Sequence, residues 1–180
     1  MLVVNKKKKL KKTYIPNLYQ LRDCFSDGKQ YLTKEAKKAF EKMCDDALED
    51  NLYLIAVSTY RSYNYQKRLY KQYVKTKGRK YARLCSAKAG HSEHQTGLAV
   101  DIANKTLDYD NFDRTNEFKW VKDNAYKYGF ILRYKKADEK ITGIKYESWH
   151  FRYVGEEIAK YMKENEMTYE EYYVRFIENK

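Results

Sequence analysis

Residues 90–101 read Gly90-His91-Ser92-Glu93-His94-Gln95-Thr96-Gly97-Leu98-Ala99-Val100-Asp101, and Ile102 follows. The stretch Leu98 to Ile102 alternates in and out and predicts a short strand. Near its end stands a carboxylate in an otherwise apolar run. Burying that carboxylate without a partner costs several kcal/mol, so Asp101 has to meet a cation, a metal or strong donors. For this residue taken alone, a salt bridge to Arg or Lys is the commoner answer and a metal the rarer one. His91 and His94 lie just upstream, and the chain has only three histidines.

The third histidine lies in a second segment, Tyr146-Glu147-Ser148-Trp149-His150-Phe151-Arg152. A strand over Trp149 to Val154, extended by Ile144 to Tyr146, puts His150 on one face with Glu147 just before it. Glu147 could then stand beside a metal held by His150 without being its ligand, which is what metal-assisted hydrolysis requires of a base. A core histidine packed among Trp149, Phe151 and Tyr153 fits the same spacing.

Outward from these segments, a helix is expected from Thr33 to Glu49, capped by Thr33, with Ala36, Phe40, Met43, Ala47 and Leu48 inward. A short buried strand follows at Leu52 to Ser58. A second helix, Asn64 to Lys75, carries Leu69, Tyr70, Tyr73 and Val74 on its apolar side. Thr76 to Gly90 reads as basic and irregular. A third helix, Asn116 to Tyr128, turns Phe118, Val121 and Ala125 inward and ends at Gly129. Phe130 to Tyr134 reads as a strand, and Glu156 to Phe176 as helical with a break near Asn165 to Thr168. Helices first, then short strands interleaved with helices, predict an α+β fold with a small, largely antiparallel sheet flanked by helices. The expected organisation is a single domain over residues 1–180.

Composition sets outer bounds. The chain has 180 residues, 43% of them hydrophobic, and a net charge of +12, a globular profile with a core of useful size. The positive balance favours a polyanionic partner, whether nucleic acid, an anionic wall or a membrane surface, or simply serves solubility. Cys24, Cys44 and Cys85 are odd in number and form no CxxC pair, against a disulfide framework or cysteine zinc site. The longest apolar run, Leu52 to Val57, falls far short of the ~20 residues a membrane span needs. The lysines Lys6 to Lys9 follow the apolar start instead of preceding it, the wrong order for a signal peptide. The expectation is either a protein that stays where it is made, hence cytoplasmic, or one acting outside the membrane whose export segment preceded these residues.

Together the two histidine segments resemble a known family. Ser92 to Asp101 is similar to the SxHxxGxAxD signature of zinc D-Ala-D-Ala carboxypeptidases and dipeptidases, the VanY-like and VanX-like metallopeptidases. Glu147-Ser148-Trp149-His150 is similar to the second signature of that family. Ser58-Thr59-Tyr60-Arg61-Ser62-Tyr63-Asn64-Tyr65-Gln66 is similar to its SGYRSxxxQ segment, with Thr59 where glycine is usual. Gly129 to Tyr134 and His150 to Gly155 extend the match, as does the opening from Val4 to Pro16.

This resemblance implies a LAS/hedgehog-type zinc peptidase fold and one Zn2+ per chain, held by His94, Asp101 and His150. It makes Glu147 the general base and Arg61 the charge that meets the scissile carbonyl or the peptide carboxylate. Gln66 and Ser92 would contact substrate, and Tyr134 and Trp149 would line the pocket. Glu93 and Gln95 are expected to orient His94 or to shape the turn, and His91 to lie at the rim. The implied substrate is a peptidoglycan stem peptide, cut by a monomer that removes the terminal D-Ala as a D,D-carboxypeptidase. L,D-carboxypeptidase and D,D-dipeptidase activities are the near alternatives. Two rivals come from other classes. One is a non-catalytic module binding wall peptide, against which stands the presence of Glu147 and all three ligands. The other is a nucleic-acid binder, for which no recognition signature is present, so no specific nucleic-acid partner is expected.

Overall fold

The computed structural model describes residues 2–178; residues 1, 179 and 180, the ends of the expected 1–180 domain, lie outside the described residues. Among the described residues six strands and six α-helices follow one another in the order β1 (Tyr19–Gln20), β2 (Tyr31–Leu32), α1 (Lys34–Glu49), β3 (Ile55–Ser58), α2 (Tyr63–Cys85), β4 (Ala99–Ala103), α3 (Asn116–Asn124), β5 (Phe130–Tyr134), α4 (Glu139–Thr142), β6 (Glu147–Tyr153), α5 (Glu156–Glu164) and α6 (Tyr169–Tyr173). β1 and β2 pair as a small antiparallel ladder, and the other four form an antiparallel sheet in the order β3-β4-β6-β5. This is the α+β class with a small antiparallel sheet that the sequence predicts. No helix among the described residues is long and apolar enough to cross a membrane.

The period-2 pattern of the strands divides the sheet into two faces. Val100 and Ile102 of β4, Phe151 of β6 and Phe130 of β5 point into the main core, where α1 contributes Ala36, Phe40, Met43, Cys44 and Ala47 and α3 contributes Phe118 and Val121. Leu48, expected inward, is instead 38% exposed, and Cys44 takes the inner position. The spacing 36, 40, 43, 44, 47 closes a narrower stripe that leaves Leu48 on the outer side. Thr33 stands at the cap position of α1, but its hydroxyl makes no capping bond. The opposite face of the sheet carries Asp101, His150, Arg133 and Arg152. A second cluster, Val3, Met162 and Tyr169 with Ile131, Val154 and Ile158, ties the N-terminal stretch and α5 and α6 to the sheet.

Several expected boundaries differ: the strand expected from Leu52 begins only at Ile55, and the helix expected to Tyr128 tightens to a 3-10 turn from Ala125. α2 runs on to Cys85 through the basic stretch read as irregular, with a break at Gly78, where φ is 84° and ψ 161°. The second half lacks an apolar stripe, so periodicity could not find it. β6 begins at Glu147, which therefore belongs to the strand that carries His150. The three cysteines are all free thiols.

Gly129 ends the helical run after α3 in the left-handed region, φ 78°. A Cβ there would lie 2.8 Å from the Tyr153 ring and 2.9 Å from the backbone of Gly155 and Glu156. Gly28 has a similar φ of 66° but open space around it. Gly28→Ala is expected to cost only the backbone term, about 1–2 kcal/mol. Gly129→Ala adds overpacking against immovable backbone, for about 2–5 kcal/mol in all. Thermal melts of the two variants check this: Gly129→Ala should melt clearly lower, and equal melting temperatures would refute the packing argument.

Candidate active site

Strand register builds the centre of the site. Asp101 of β4 is the direct cross-strand partner of His150 on β6 and also pairs with Ser58 on β3. His94 arrives from a 3-10 turn, Glu93–Thr96, that Gly97 closes at φ 69° before β4 begins. A Cβ on Gly97 would press on Leu18, Pro16 and Thr33 at 3.1–3.3 Å. The turn thus delivers His94 onto the same face as Asp101 and His150.

Asp101 Oδ1 lies 2.9 Å from His150 Nδ1, and Asp101 Oδ2 lies 3.3 Å from His94 Nε2. One ligand atom from each of the three residues falls within 4.8 Å of the others, and all three residues are buried. The remaining ring nitrogens are committed to protein. His94 Nδ1 donates to the Thr59 carbonyl at 2.6 Å, and His150 Nε2 faces Glu93 Oε2 at 3.3 Å. Each imidazole therefore turns one nitrogen outward to a fixing acceptor and one inward to the cluster, the arrangement that metal-binding histidines adopt. Two imidazoles and one carboxylate, with room beside them, suit a divalent ion of the zinc type with an open position.

The electrostatics follow from burial and close partners. Burial pushes the His94 imidazole down to about 4, and Arg61 adds to that. Burial would raise the Asp101 carboxyl, but His94, Arg61 and His150 hold it well below the usual carboxylate range. Burial would lower His150, but hydrogen bonds to Asp101 and Glu93 lift it to about 9. Glu147 stands at the head of β6 with Oε2 3.9 Å from His150 Nδ1. Burial lifts its carboxyl to about 7, against the pull of His150. A cation at the cluster would compete with the proton on His150.

The cluster opens into a cavity of about 670 Å³ that also takes in Arg61, Gln66, Ser92, Tyr134 and Trp149. Arg61 donates from Nε to Ser58 Oγ at 2.8 Å and from Nη2 to Asp101 Oδ2 at 2.7 Å. Asp101 thus meets an arginine as well as the two histidines. Gln66 is buried, and its amide donates to the Ala87 carbonyl at 2.8 Å, pinning the loop after α2; its Oε1 has no partner. Ser92 is buried at the entry to the His94 turn. The Tyr134 ring lies 4.9 Å from the His150 ring, and Trp149 meets Tyr109 edge-on at 5.3 Å. His91 sits at the rim and bonds through Nδ1 to the Asn5 carbonyl at 2.8 Å.

Glu93 and Gln95 do not orient His94. Gln95 turns away and donates to the carbonyls of Lys11 and Tyr14 at 3.0 and 3.2 Å, tying down the N-terminal stretch. Glu93 serves the other histidine, because the 3-10 turn carries successive side chains to different sides. His94 is held by the backbone of Thr59, whose side chain accepts from Tyr31 N at 2.8 Å and donates to Gln30 at 2.9 Å.

A buried ion cluster behind Glu93 escaped sequence reading. Arg133 Nε donates to Glu93 Oε1 at 2.9 Å, and its two Nη atoms grip Glu170 of α6 at 2.8 and 2.6 Å. Arg152 Nη1 lies 3.6 Å from the same Glu93 oxygen. Burial alone would raise the Glu93 carboxyl, but Arg133, Arg152 and His150 hold it far below its ordinary value. The sequence signal was there: Arg133 and Arg152 stand inside otherwise apolar or aromatic strand runs, and a cation in such a place needs a partner.

Comparison with known proteins places this geometry. The model of the family described as VanY, D-alanyl-D-alanine carboxypeptidase, matches residues 29–156. A putative carboxypeptidase, YodJ, of Bacillus subtilis (strain 168) is 47% identical over 148 residues, 81% of this chain and 54% of the relative. The chain spans about half the length of two of the curated relatives it matches. The structure of the LdcB LD-carboxypeptidase superposes with a TM-score of 0.87 at 44% identity, covering 94% of this chain and 83% of that one. A mutant of the vancomycin-resistance D,D-pentapeptidase VanY in complex with Zn(II) gives 0.82 at 29% identity, covering 95% and 97%.

Removing Arg133 leaves Glu93 buried with only the Arg152 guanidinium 3.6 Å away and the longer contact to His150 Nε2 at 3.3 Å. Arg133→Met is expected to cost about 3–5 kcal/mol. Because the folded Glu93 carboxyl is depressed, its contribution is complete above the ordinary carboxylate range and lost as pH falls below it. Urea titrations at neutral and acidic pH check both points. The gap between parent and variant should shrink on acidification, and a constant gap would mean that packing rather than charge is responsible.

Proposed function

The chain belongs to the VanY family of D-alanyl-D-alanine carboxypeptidases, and from that premise we propose that it hydrolyses the C-terminal D-Ala amide of peptidoglycan stem peptides as a zinc-dependent D,D-carboxypeptidase. The observation that carries this reading is the convergence of His94, Asp101 and His150, with Glu147 at 3.9 Å from His150, on one cavity.

In this reading His94 Nε2, the Asp101 carboxylate and His150 Nδ1 hold one zinc ion. Bound there, zinc supplies Lewis acidity to the scissile carbonyl and lowers the pKa of a water toward neutrality. Glu147 accepts a proton from the attacking water and returns it to the leaving amine. Its place at the head of β6, three residues before the ligand His150, leaves its carboxylate 3.9 Å from the His150 ring, beside the cluster without joining it. Arg61 stabilises negative charge on the scissile carbonyl oxygen or grips the peptide carboxylate, a task suited to a planar, permanently charged fork held by Ser58 and Asp101. Gln66, in the cavity wall, helps hold the substrate terminus, and the Ser92 hydroxyl bonds the peptide. Tyr134, against the His150 ring, and Trp149 wall the cavity and keep bulk water from the reacting amide. Residues 1–180 work as one peptidase domain and as a monomer.

A second reading is favoured by one observation. The LD-carboxypeptidase structure shares 44% identity with this chain, against 29% for the D,D-pentapeptidase. L,D cleavage of tetrapeptides is therefore the alternative specificity.

Two measurements test the proposal. Purified protein is expected to carry one zinc and to release D-Ala from L-Ala-D-Glu-L-Lys-D-Ala-D-Ala in a chelator-sensitive way; release from the tetrapeptide instead selects the L,D reading, and release from neither removes both. Glu147→Gln should lower kcat by about 10²–10⁴-fold while keeping its zinc. Parent-like turnover by that variant would take the base role away from Glu147.

A further inference from the structure

The positive charge of the chain is not spread over its surface. Residues 1–12 carry six lysines, α2 carries eight lysines and arginines, and neither segment holds a single acid. Setting those fourteen aside leaves 23 cations against 25 acids on the remainder. The whole excess of the protein thus resides in two segments.

Both segments border the same cavity. Leu10 N donates to Gly90 O at 2.8 Å, and the Asn5 carbonyl meets His91, so the lysine stretch lies along the loop that leads to His94. Asn5 and Lys6 line the cavity from this side, and Arg83 and Lys88 line it at the end of α2. Every cation of α2 is exposed. Among the described residues none of them enters an ion pair, whereas α1 neutralises Lys37 with Glu41 and Lys42 with Asp46. Lys67, Lys71 and Lys75 recur at one-turn spacing, a row of charges about 6 Å apart along the helix.

We propose that α2 and the lysine stretch form a docking surface for a linear phosphodiester-linked polyol polymer. The choice of this polyanion rests on the wall-peptide reading of the cavity: a polymer carried by the same wall presents phosphates beside the peptide the cavity takes. Charge complementarity is the driving term, and counterion release makes it salt-dependent. A lipid surface fits less well. The large hydrophobic side chains exposed on α2 are Tyr65 and Tyr81, and it exposes no Trp, Phe or Leu to sink into a bilayer.

The test compares the parent with a Lys71→Gln, Lys75→Gln, Lys77→Gln, Lys80→Gln variant. None of these four side chains lines the cavity, and Gln keeps the helix propensity of Lys. Binding to poly(glycerol phosphate) is measured over a range of salt, alongside hydrolysis of a short soluble stem peptide. The parent is expected to bind, and the variant to bind at least tenfold more weakly, with its log K against log salt slope shallower by about 3. The matching Lys→Arg variant should restore binding. Variant binding equal to that of the parent overturns the proposal. So does tighter parent binding to phosphatidylglycerol vesicles, duplex DNA or neutral dextran than to the polymer. Peptide turnover separates the two readings. If both proteins cleave the peptide equally while polymer binding ignores the substitutions, the docking surface falls and the peptidase stands. If neither cleaves it while polymer binding is still lost in the variant, the peptidase falls and the docking surface stands.

Discussion

Asp101 and His150 face each other across β4 and β6, and the site inherits its geometry from that pairing. A slip of one residue in this register would carry every side chain of a strand to the opposite face. The core prevents it: Val100 pairs with Phe151 one position away, and both are fully buried against α1 and α3. Apolar burial on one face of the sheet thereby fixes the polar constellation on the other. The packing of α1 and the placement of the ligands are two consequences of one register.

A face that carries three acids and three arginines into the interior is costly. Each buried ion loses several kcal/mol of hydration, and a well-packed apolar face would serve stability as well or better. The observed solution is close pairing. Asp101 has Arg61, Glu93 has Arg133 and Arg152, and Arg133 has the Glu170 fork. That fork reaches α6, so the last α-helix described is tied to the side of His150 away from the cluster. Its N-terminal capping box at Thr168 and Glu171 fixes the helix that presents Glu170. A stretch far from the histidines in sequence becomes part of what holds one of them.

What could be read in advance follows from how local each signal is. β5 was legible to the residue, because Gly129 marks its start and aromatic and aliphatic side chains fill it. α1 was legible because its apolar period is strong. The second half of α2 was not, since its lysines and arginines show no period, and β1 and β2 are too short to carry one. The histidine segments stood out by scarcity: three histidines, two of them beside a buried acid. Their roles came from family resemblance, and the structure adds that the side chains converge. The partner of Glu93 could not be read. Proximity to His150 depends on how the 3-10 turn aims consecutive side chains and on the pairing of β4 with β6, neither of which is local.

The two histidines are held by unlike acceptors, and the difference has a chemical consequence. A neutral carbonyl, Thr59 O, fixes His94, whereas a carboxylate, Glu93, fixes His150. A carboxylate behind an imidazole makes its other nitrogen the stronger donor. Left alone, Glu93 would also add a third negative charge to Asp101 and Glu147 and would favour protonation of His150 over coordination. Arg133 and Arg152 moderate this by drawing the Glu93 charge toward themselves at 2.9 and 3.6 Å. With Arg61 on Asp101 and Glu170 sharing Arg133, three guanidinium groups and the His150 imidazolium stand against four carboxylates. The cluster is therefore close to neutral while His150 keeps its proton, and the attraction it offers a divalent ion comes from aligned lone pairs more than from bulk negative charge. That favours an ion that prefers nitrogen donors, and it separates the chemistry of the cavity floor from the strongly basic banks above it.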